Sequence, residues 1–229
     1  MNGIGIILSG GVGNRMKSAV PKQYISVDGR MIIDYCLDRF VSHPRIDALI
    51  IAVADEWKQI VNKGIIDRRL KIPVYYSAPG EVRQETIYKA LRVAAEHYSE
   101  RDIVIIHDAA RPMVSDRLID DCMDACKMYD GAMPVLPVKD TIYQSKDGAT
   151  ISSLLPRSTL FAGQAPEAFV LGKYLNAHRT ITRDELLTVN GSSELAHKQG
   201  LSIKLIAGDE RNFKITTPED LHRFEQLIK

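Results

Sequence analysis

Short apolar runs alternate along the chain with segments in which apolar residues recur every three or four positions. The runs have the length and the glycine or polar boundaries of buried parallel strands, and they occupy residues 4–8, 47–53, 73–77, 102–107 and 131–138. Helical spacing is found over residues 31–41 and 84–98. This alternation predicts an α/β fold, a single Rossmann-like domain over residues 1–229 with a mostly parallel twisted sheet covered by helices. Ligands are expected at the carboxyl ends of the strands.

Two further helices have recognisable start signals. Ser115 is a favourable N-cap residue and predicts a helix that continues to about Tyr129. Thr217 followed by Pro218 matches the preferred entry into a helix near the C-terminus. A strand is predicted before this last helix, at residues 204–207.

One stretch departs from this alternation of strand and helix patterns. Within residues 139–160, two short strands of alternating polarity flank the turn dipeptide Asp147-Gly148. A lone hairpin is marginally stable in water, so this protruding β-arm is expected to pack against something. Its own domain and a partner subunit are both open alternatives from the pattern alone.

Composition narrows the classes of function. With 30 Lys and Arg against 29 Asp and Glu, the net charge is +1, so no overall field favours nucleic acid or a membrane surface. No stretch approaches the roughly 20 apolar residues of a membrane span, and no targeting segment is recognised, so we expect a cytoplasmic protein. Cys36, Cys122 and Cys126 give no disulfide framework and are expected to be buried thiols.

A glycine-rich loop follows the first predicted strand and reads LSGGVGNRMKSAVPKQY over residues 8–24. The dinucleotide fingerprint and the P-loop both nearly fit it, but Met16 occupies a position where each pattern requires glycine. Pro21 also prevents a helix from following directly. Glycine amides followed by Arg15, Lys17 and Lys22 are typical of a longer loop that wraps a triphosphate. Solvated surface lysines are the alternative interpretation.

Three further clusters carry candidate chemistry. Asp108 follows the predicted strand 102–107, where it could hold Mg²⁺ against phosphate oxygens or simply pair with Arg111. His107 has no triad partner nearby and is expected to be structural. Residues 80–86 lie between a strand and a helix and could grip a base or ribose, and Lys214 lies in a later loop.

Taken in order, these motifs resemble one family over nearly the whole chain. The motifs are G-G-x-G-x-R-M with P-K-Q-Y, R-Q, H-D-A-A-R-P, V-K-D-T, a lone Arg before Q-x-P-x-x-F, and N-x-K-I-T-T-P-E-D-L. They resemble the 2-C-methyl-D-erythritol 4-phosphate cytidylyltransferases and the related ribitol-5-phosphate cytidylyltransferases. The resemblance implies a nucleotidyltransferase-type fold and transfer of CMP from CTP to a polyol phosphate, with release of pyrophosphate.

The resemblance also implies roles for individual residues. Arg15, Lys22 and Lys214 would be catalytic, and Asp108 would bind Mg²⁺. Arg157 would hold the polyol phosphate in the partner's site, which makes the hairpin at 139–160 the dimerisation arm of a homodimer. The implied nucleotide-binding residues are Ser9, Gly10, Gly11, Gly13, Gly80, Glu81, Arg83 and Thr86. The implied substrate-binding residues are Arg111, Asp140, Arg157, Ala165 and Asn190.

Two departures from the family pattern affect the acceptor pocket. The Q-T-P motif reads Gln164-Ala165-Pro166, which loses a hydroxyl, and Val189-Asn190 replaces a Thr-Asp pair. Loss of hydrogen-bonding groups changes selectivity strongly, so an altered acceptor is expected, with Ser192 or Ser193 as possible substitutes. The acceptor is therefore left open between methylerythritol phosphate, ribitol phosphate and another polyol phosphate. A non-catalytic nucleotide-binding paralogue and, less favoured because of Met16 and Pro21, an NAD-dependent enzyme are the alternatives.

Overall fold

The computed structural model describes residues 1–11, 20–67 and 72–229. Within these ranges the strands and helices alternate as predicted. The strands are β1 Gly3–Leu8, β2 Ser26–Val27, β3 Arg30–Met31, β4 Ala48–Ala52, β5 Val74–Ser77, β6 Ile103–Asp108, β7 Gly131–Pro137, β8 Tyr143–Gln144, β9 Ser153–Leu154, β10 Phe161–Gly163, β11 Glu167–Val170 and β12 Ile203–Ala207. The helices are α1 Ile32–Ser42, α2 Asp55–Asp67, α3 Arg83–His97, α4 Asp116–Ala125, α5 Leu171–Thr180, α6 Arg183–Thr188, α7 Ser192–Lys198 and α8 Pro218–Leu227.

The described residues form one eight-stranded mixed sheet, which confirms the predicted α/β fold. Strands β5, β4, β1 and β6 are parallel neighbours in that order. Beyond β6 the sheet continues through β11, which runs antiparallel between β6 and β7, and β12 pairs in parallel with β7. Because β1 and β6 are adjacent and parallel, Leu8 and Asp108 end side by side at one edge of the sheet.

Both faces of the sheet are covered, which explains the continuous apolar runs of the central strands. On one face Phe40 of α1 and Met123 of α4 belong to a cluster of buried residues with Ile7. On the other face Leu91 of α3 and Tyr174 of α5 pack with Ile6. The two clusters pack against both faces of the central strands, so a site at the strand ends is supported by a close-packed core.

The fourth helix is shorter than predicted. It ends at Ala125 rather than near Tyr129, because residues 126–129 turn back toward β7 and leave Met128 86% exposed. Gly131 then enters the sheet against Phe169, whose ring a Cβ at position 131 would meet at 2.5 Å. The helix at residues 55–67 and all elements from β10 to α7 carried no prediction.

The arm matches its prediction as a local structure. Strands β8 and β9 form a separate antiparallel pair, and the carboxylate of Asp147 organises the turn through the N–H groups of Ala149 and Thr150. Large apolar side chains remain exposed along the arm: Tyr143 58%, Ile151 69% and Leu154 62%. No helix in the described part of the chain is long and apolar enough to cross a membrane.

Candidate active site

A cavity of about 540 Å³ opens at the carboxyl ends of β1 and β6. It lies where open α/β sheets bind their ligands. Five segments form its walls: the glycine segment after β1, the turn at Lys22, the loop between β5 and α3, the end of β6 with the residues that follow it, and the loop that carries Lys214. The lining residues that we predicted are Gly10, Gly11, Lys22, Gly80, Glu81, Arg83, Thr86, Asp108 and Lys214.

The glycine segment is fixed to the turn that carries Lys22. The Gln23 amide nitrogen donates to the carbonyl oxygens of Ser9 at 2.7 Å and Gly11 at 2.9 Å. The Tyr24 hydroxyl lies 2.7 Å from the Ser9 hydroxyl, and the Tyr24 ring stacks on Trp57 with centroids 4.5 Å apart. The sequence P-K-Q-Y thus places its lysine beside the cavity by burying the two residues that follow it.

The loop between β5 and α3 forms the opposite wall and depends on close backbone approach. A Cβ at Gly80 would lie 2.5 Å from Glu85 Cβ, and one at Gly10 would lie 2.5 Å from Pro79 Cβ. The Gly80 N–H donates to the Thr86 hydroxyl at 2.9 Å. Thr86 therefore shapes the loop in this structure, and glycine at these two positions lets the walls meet.

Asp108 lies among three cationic side chains at the cavity. Its residue is 8% exposed, and its carboxylate lies 3.0 Å from Lys214 Nζ, 3.5 Å from Arg83 Nη2 and 3.5 Å from Arg111 Nε. Burial alone would raise the pKa of Asp108, but Arg83, Lys214 and Arg111 together hold that pKa far below its ordinary value. The carboxylate is ionised throughout the physiological range, and the cavity retains positive charge beside it.

Arg83 connects this cavity to a second carboxylate that the sequence did not reveal. Its guanidinium donates to the Ser192 hydroxyl at 2.6 Å and lies 3.5 Å from Glu167 Oε1. The other Glu167 oxygen accepts from the N–H of Ser193 at 2.8 Å and from its hydroxyl at 2.7 Å. Glu167 is 6% exposed, so the two serines have structural partners in this network. Because Glu167 pairs with Ile106 across β11 and β6, only the sheet topology brings it near Asp108.

His107 behaves as expected of a structural residue. It is fully buried, and its Nε2 lies 2.9 Å from the carbonyl oxygen of Arg111. Burial lowers its pKa to about 4, so the ring is neutral at pH 7. The three cysteines are buried and free, as predicted, and burial raises the pKa of Cys126 to about 12.

Comparison with known proteins identifies the family. The family model described as IspD, 2-C-methyl-D-erythritol 4-phosphate cytidylyltransferase, matches residues 4–229. The chain belongs to this family. It is a cytidylyltransferase, and the resemblance seen in its motifs is confirmed.

Similar proteins carry two names within this cytidylyltransferase group. A 2-C-methyl-D-erythritol 4-phosphate cytidylyltransferase of Clostridium beijerinckii is 36% identical over 226 residues, covering 98% of this chain and 97% of that protein. A ribitol-5-phosphate cytidylyltransferase of Streptococcus agalactiae is 30% identical over 228 residues, covering 99% and 95%. The crystal structure of the Francisella tularensis 2-C-methyl-D-erythritol 4-phosphate cytidylyltransferase is 26% identical, covers 99% of both chains and has a TM-score of 0.81.

Among the remaining predicted site residues of this cytidylyltransferase, those that the structure describes do not line the cavity. Ser9 and Arg111 each adjoin a lining residue in the chain. The Ser9 hydroxyl is hydrogen-bonded to the Tyr24 hydroxyl, and the Arg111 guanidinium donates to the Asn212 carbonyl oxygen. Gly13 and Arg15 lie outside the described residues. The other four do not line the cavity described here: Asp140 and Arg157 are on the arm, Ala165 is buried, and Asn190 is exposed before α7.

The residues of this cavity suit a divalent cation that takes one carboxylate from the protein and its other ligands from substrate and water. Among the described residues no group of three or more His, Cys, Asp or Glu side chains could enclose a metal ion. Mg²⁺ commonly binds through one or two carboxylates and completes its shell with substrate phosphates and water. The ionised carboxylate of Asp108, lining a cavity among cations, suits that arrangement and no closed metal cage.

Proposed function

We propose that the cavity binds CTP and that the chain transfers its CMP group to the phosphate of a small polyol phosphate, which releases pyrophosphate. The observation that carries this proposal is the meeting of Lys22, Asp108 and Lys214 with the two glycine walls in one cavity. Cytidylyl transfer to a polyol phosphate is the activity named for the family and for its curated relatives.

The reaction needs positioned charge more than covalent help from the protein. An acceptor phosphate oxygen attacks the α-phosphorus of CTP, the bond from that phosphorus to the bridging oxygen of pyrophosphate breaks, and the electron pair leaves with pyrophosphate. Lys22 and Lys214 are placed to stabilise the negative charge that builds up on the phosphates. Gly10 and Gly11 line the cavity without a side chain, so phosphates can approach their backbone closely. The N–H of Gly80 is already bonded to the Thr86 hydroxyl.

Mg²⁺ is the proposed cofactor, held by Asp108 together with the phosphates of CTP. When bound, the ion supplies Lewis-acid stabilisation of the phosphate charge. The three cations around Asp108 keep its carboxylate ionised for this role. Glu167 and Ser192 also hold Arg83 in the cavity wall, in addition to its contact with Asp108.

The acceptor half of the site is proposed to form between two copies of the chain. Arg157 lies on the exposed arm, where its guanidinium donates to the Lys139 carbonyl oxygen at 2.8 Å. The arm exposes apolar side chains that a second copy would cover. We propose that the arm of each subunit of a homodimer delivers Arg157 to the phosphate of the acceptor bound in the other subunit.

A pyrophosphate-release assay tests the function directly. The purified chain is incubated with CTP and Mg²⁺ and with 2-C-methyl-D-erythritol 4-phosphate, ribitol 5-phosphate or another polyol phosphate, and ATP, GTP and UTP replace CTP as controls. Release that needs both CTP and one polyol phosphate supports the proposal and names the acceptor. Tight CTP binding without release for any acceptor would instead favour a non-catalytic nucleotide-binding protein.

A further inference from the structure

Lys214 reaches the cavity on a segment without regular secondary structure. Residues 208–217 connect β12 with α8, and Lys214 Nζ lies 3.0 Å from Asp108 Oδ2. A lysine on an irregular segment holds one place only if other contacts fix the backbone, because the side chain itself is long and flexible. The contacts that do so come from two buried amide side chains.

Gln164 is the first of these side chains. It is 7% exposed, its Oε1 accepts from the Asp209 N–H at 3.0 Å, and its Nε2 donates to the Asp209 carbonyl oxygen at 2.9 Å. The side-chain amide therefore pairs with Asp209 at both backbone groups. A Cβ at Gly208 would lie 2.6 Å from Gln164 Oε1, so glycine at that position lets the segment lie directly on the glutamine.

Asn212 secures the other end of the segment. It is fully buried, its Nδ2 donates to the Ala165 carbonyl oxygen at 2.6 Å, and its own carbonyl oxygen accepts from Arg111 at 2.8 Å. Past the lysine, the Ile215 N–H donates to the Ala110 carbonyl oxygen at 2.9 Å. The backbone is thus anchored on both sides of Lys214, and one anchor is next to Asp108.

We infer that Gln164 and Asn212 are positioning residues, which act on the reaction by fixing Lys214 relative to Asp108. Neither side chain lines the cavity, so neither is assigned contact with substrate. A displacement of about 1 Å at a reacting group can cost about 100-fold in rate. This inference rests on the proposed function, because it assumes that Lys214 serves the transferring phosphate.

Replacement of Gln164 by methionine tests the inference, because methionine keeps the length of the side chain and loses both bonds to Asp209. We expect kcat for pyrophosphate release to fall about 10- to 100-fold, while KM for CTP changes less than about threefold. Combined with Lys214→Ala, the same substitution should cost little more, because the lysine that it misplaces is already absent. Multiplicative losses in the double variant, or an unchanged kcat in the single variant, would overturn the inference.

Folding is controlled separately. Gln164→Glu keeps the acceptor for the Asp209 N–H and loses only the donor, and hydrogen exchange of residues 209–215 should quicken in both Gln164 variants. Cys126→Ser disturbs a buried thiol near the start of β7, at the end of the sheet opposite the cavity. It should lower Tm without lowering kcat at 25 °C. A fully active Lys214→Ala enzyme would refute the proposed role of Lys214, whereas an inactive Lys214→Ala enzyme with fully active Gln164 variants would refute only this inference.

Discussion

The cavity and the β-arm differ in how completely a single chain determines them. In the cavity nearly every functional group has a backing contact: Gln23 behind Lys22, Glu167 behind Arg83, and Gln164 behind the segment of Lys214. The arm satisfies its own turn through Asp147 but exposes its apolar side chains, and its Arg157 guanidinium donates to the nearby Lys139 carbonyl oxygen. If the cavity binds CTP as proposed, one chain builds the nucleotide half of the site, and the acceptor half needs the arm of a second copy.

The largest effect on activity is expected from Lys22→Ala, which removes a cation from the cavity. Loss of a cation aimed at the transferring phosphate should lower kcat by about 100- to 1,000-fold, as measured by pyrophosphate release. Circular dichroism should be unchanged, because Gln23 and Tyr24 still hold the turn. Lys63→Ala, an exposed lysine on α2, serves as the control and should retain full activity. Full turnover by Lys22→Ala would remove the proposed mechanism.

Arg157→Ala should weaken use of the acceptor without affecting the nucleotide. CTP binding should be unchanged, but KM for the polyol phosphate should rise at least about tenfold, because a charge-assisted contact with phosphate is lost. Co-expression with Lys22→Ala under two different tags gives dimers that carry one subunit of each kind. If Arg157 acts in the partner's site, these dimers contain one complete site and should recover about half of the wild-type turnover. No recovery would place Arg157 in its own subunit's site.

Glu167→Gln should have a smaller effect on the cavity. A hydrogen bond to a charged group is worth about 1.5–3 kcal/mol, and part of that loss is expected to appear as a fall of about tenfold in kcat/KM for CTP. Ser192→Ala should act in the same direction and less strongly. Glu96→Gln, exposed near the end of the helix that carries Arg83, is the matched control. An unchanged kcat/KM would show that Arg83 holds its place without Glu167.

The smallest effect at neutral pH is expected from His178, which is buried between Tyr88 and Tyr174. Burial lowers its pKa to about 3, so the folded state keeps the ring neutral while the unfolded chain binds a proton below about pH 6.5. Its contribution is full above pH 6.5 and is lost as the pH falls toward 3. His178→Leu should therefore flatten the decline of the urea midpoint between pH 7 and 4.

The sequence predicted the parts of this molecule that depend on local pattern. Apolar runs placed the central strands to within a residue or two, and they placed Asp108 at the carboxyl end of the strand that became β6. Glu167 could not be found this way, because β11 joins the sheet from a segment without clear alternation and reaches Asp108 only through antiparallel pairing with β6. The bonds of Ser192 to Arg83 and of Ser193 to Glu167 could not be predicted for the same reason, since these partners lie on other elements.

The bonds from Gln23 and Tyr24 to Ser9 and Gly11 have a consequence for the affinity of nucleotide. They hold residues 9–11 against residues 23–24 through contacts within the protein. The entropy of closing a loop of about a dozen residues is then spent during folding. If CTP binds here as proposed, it meets a segment whose ends are already joined, and more of its intrinsic interaction energy remains available as affinity.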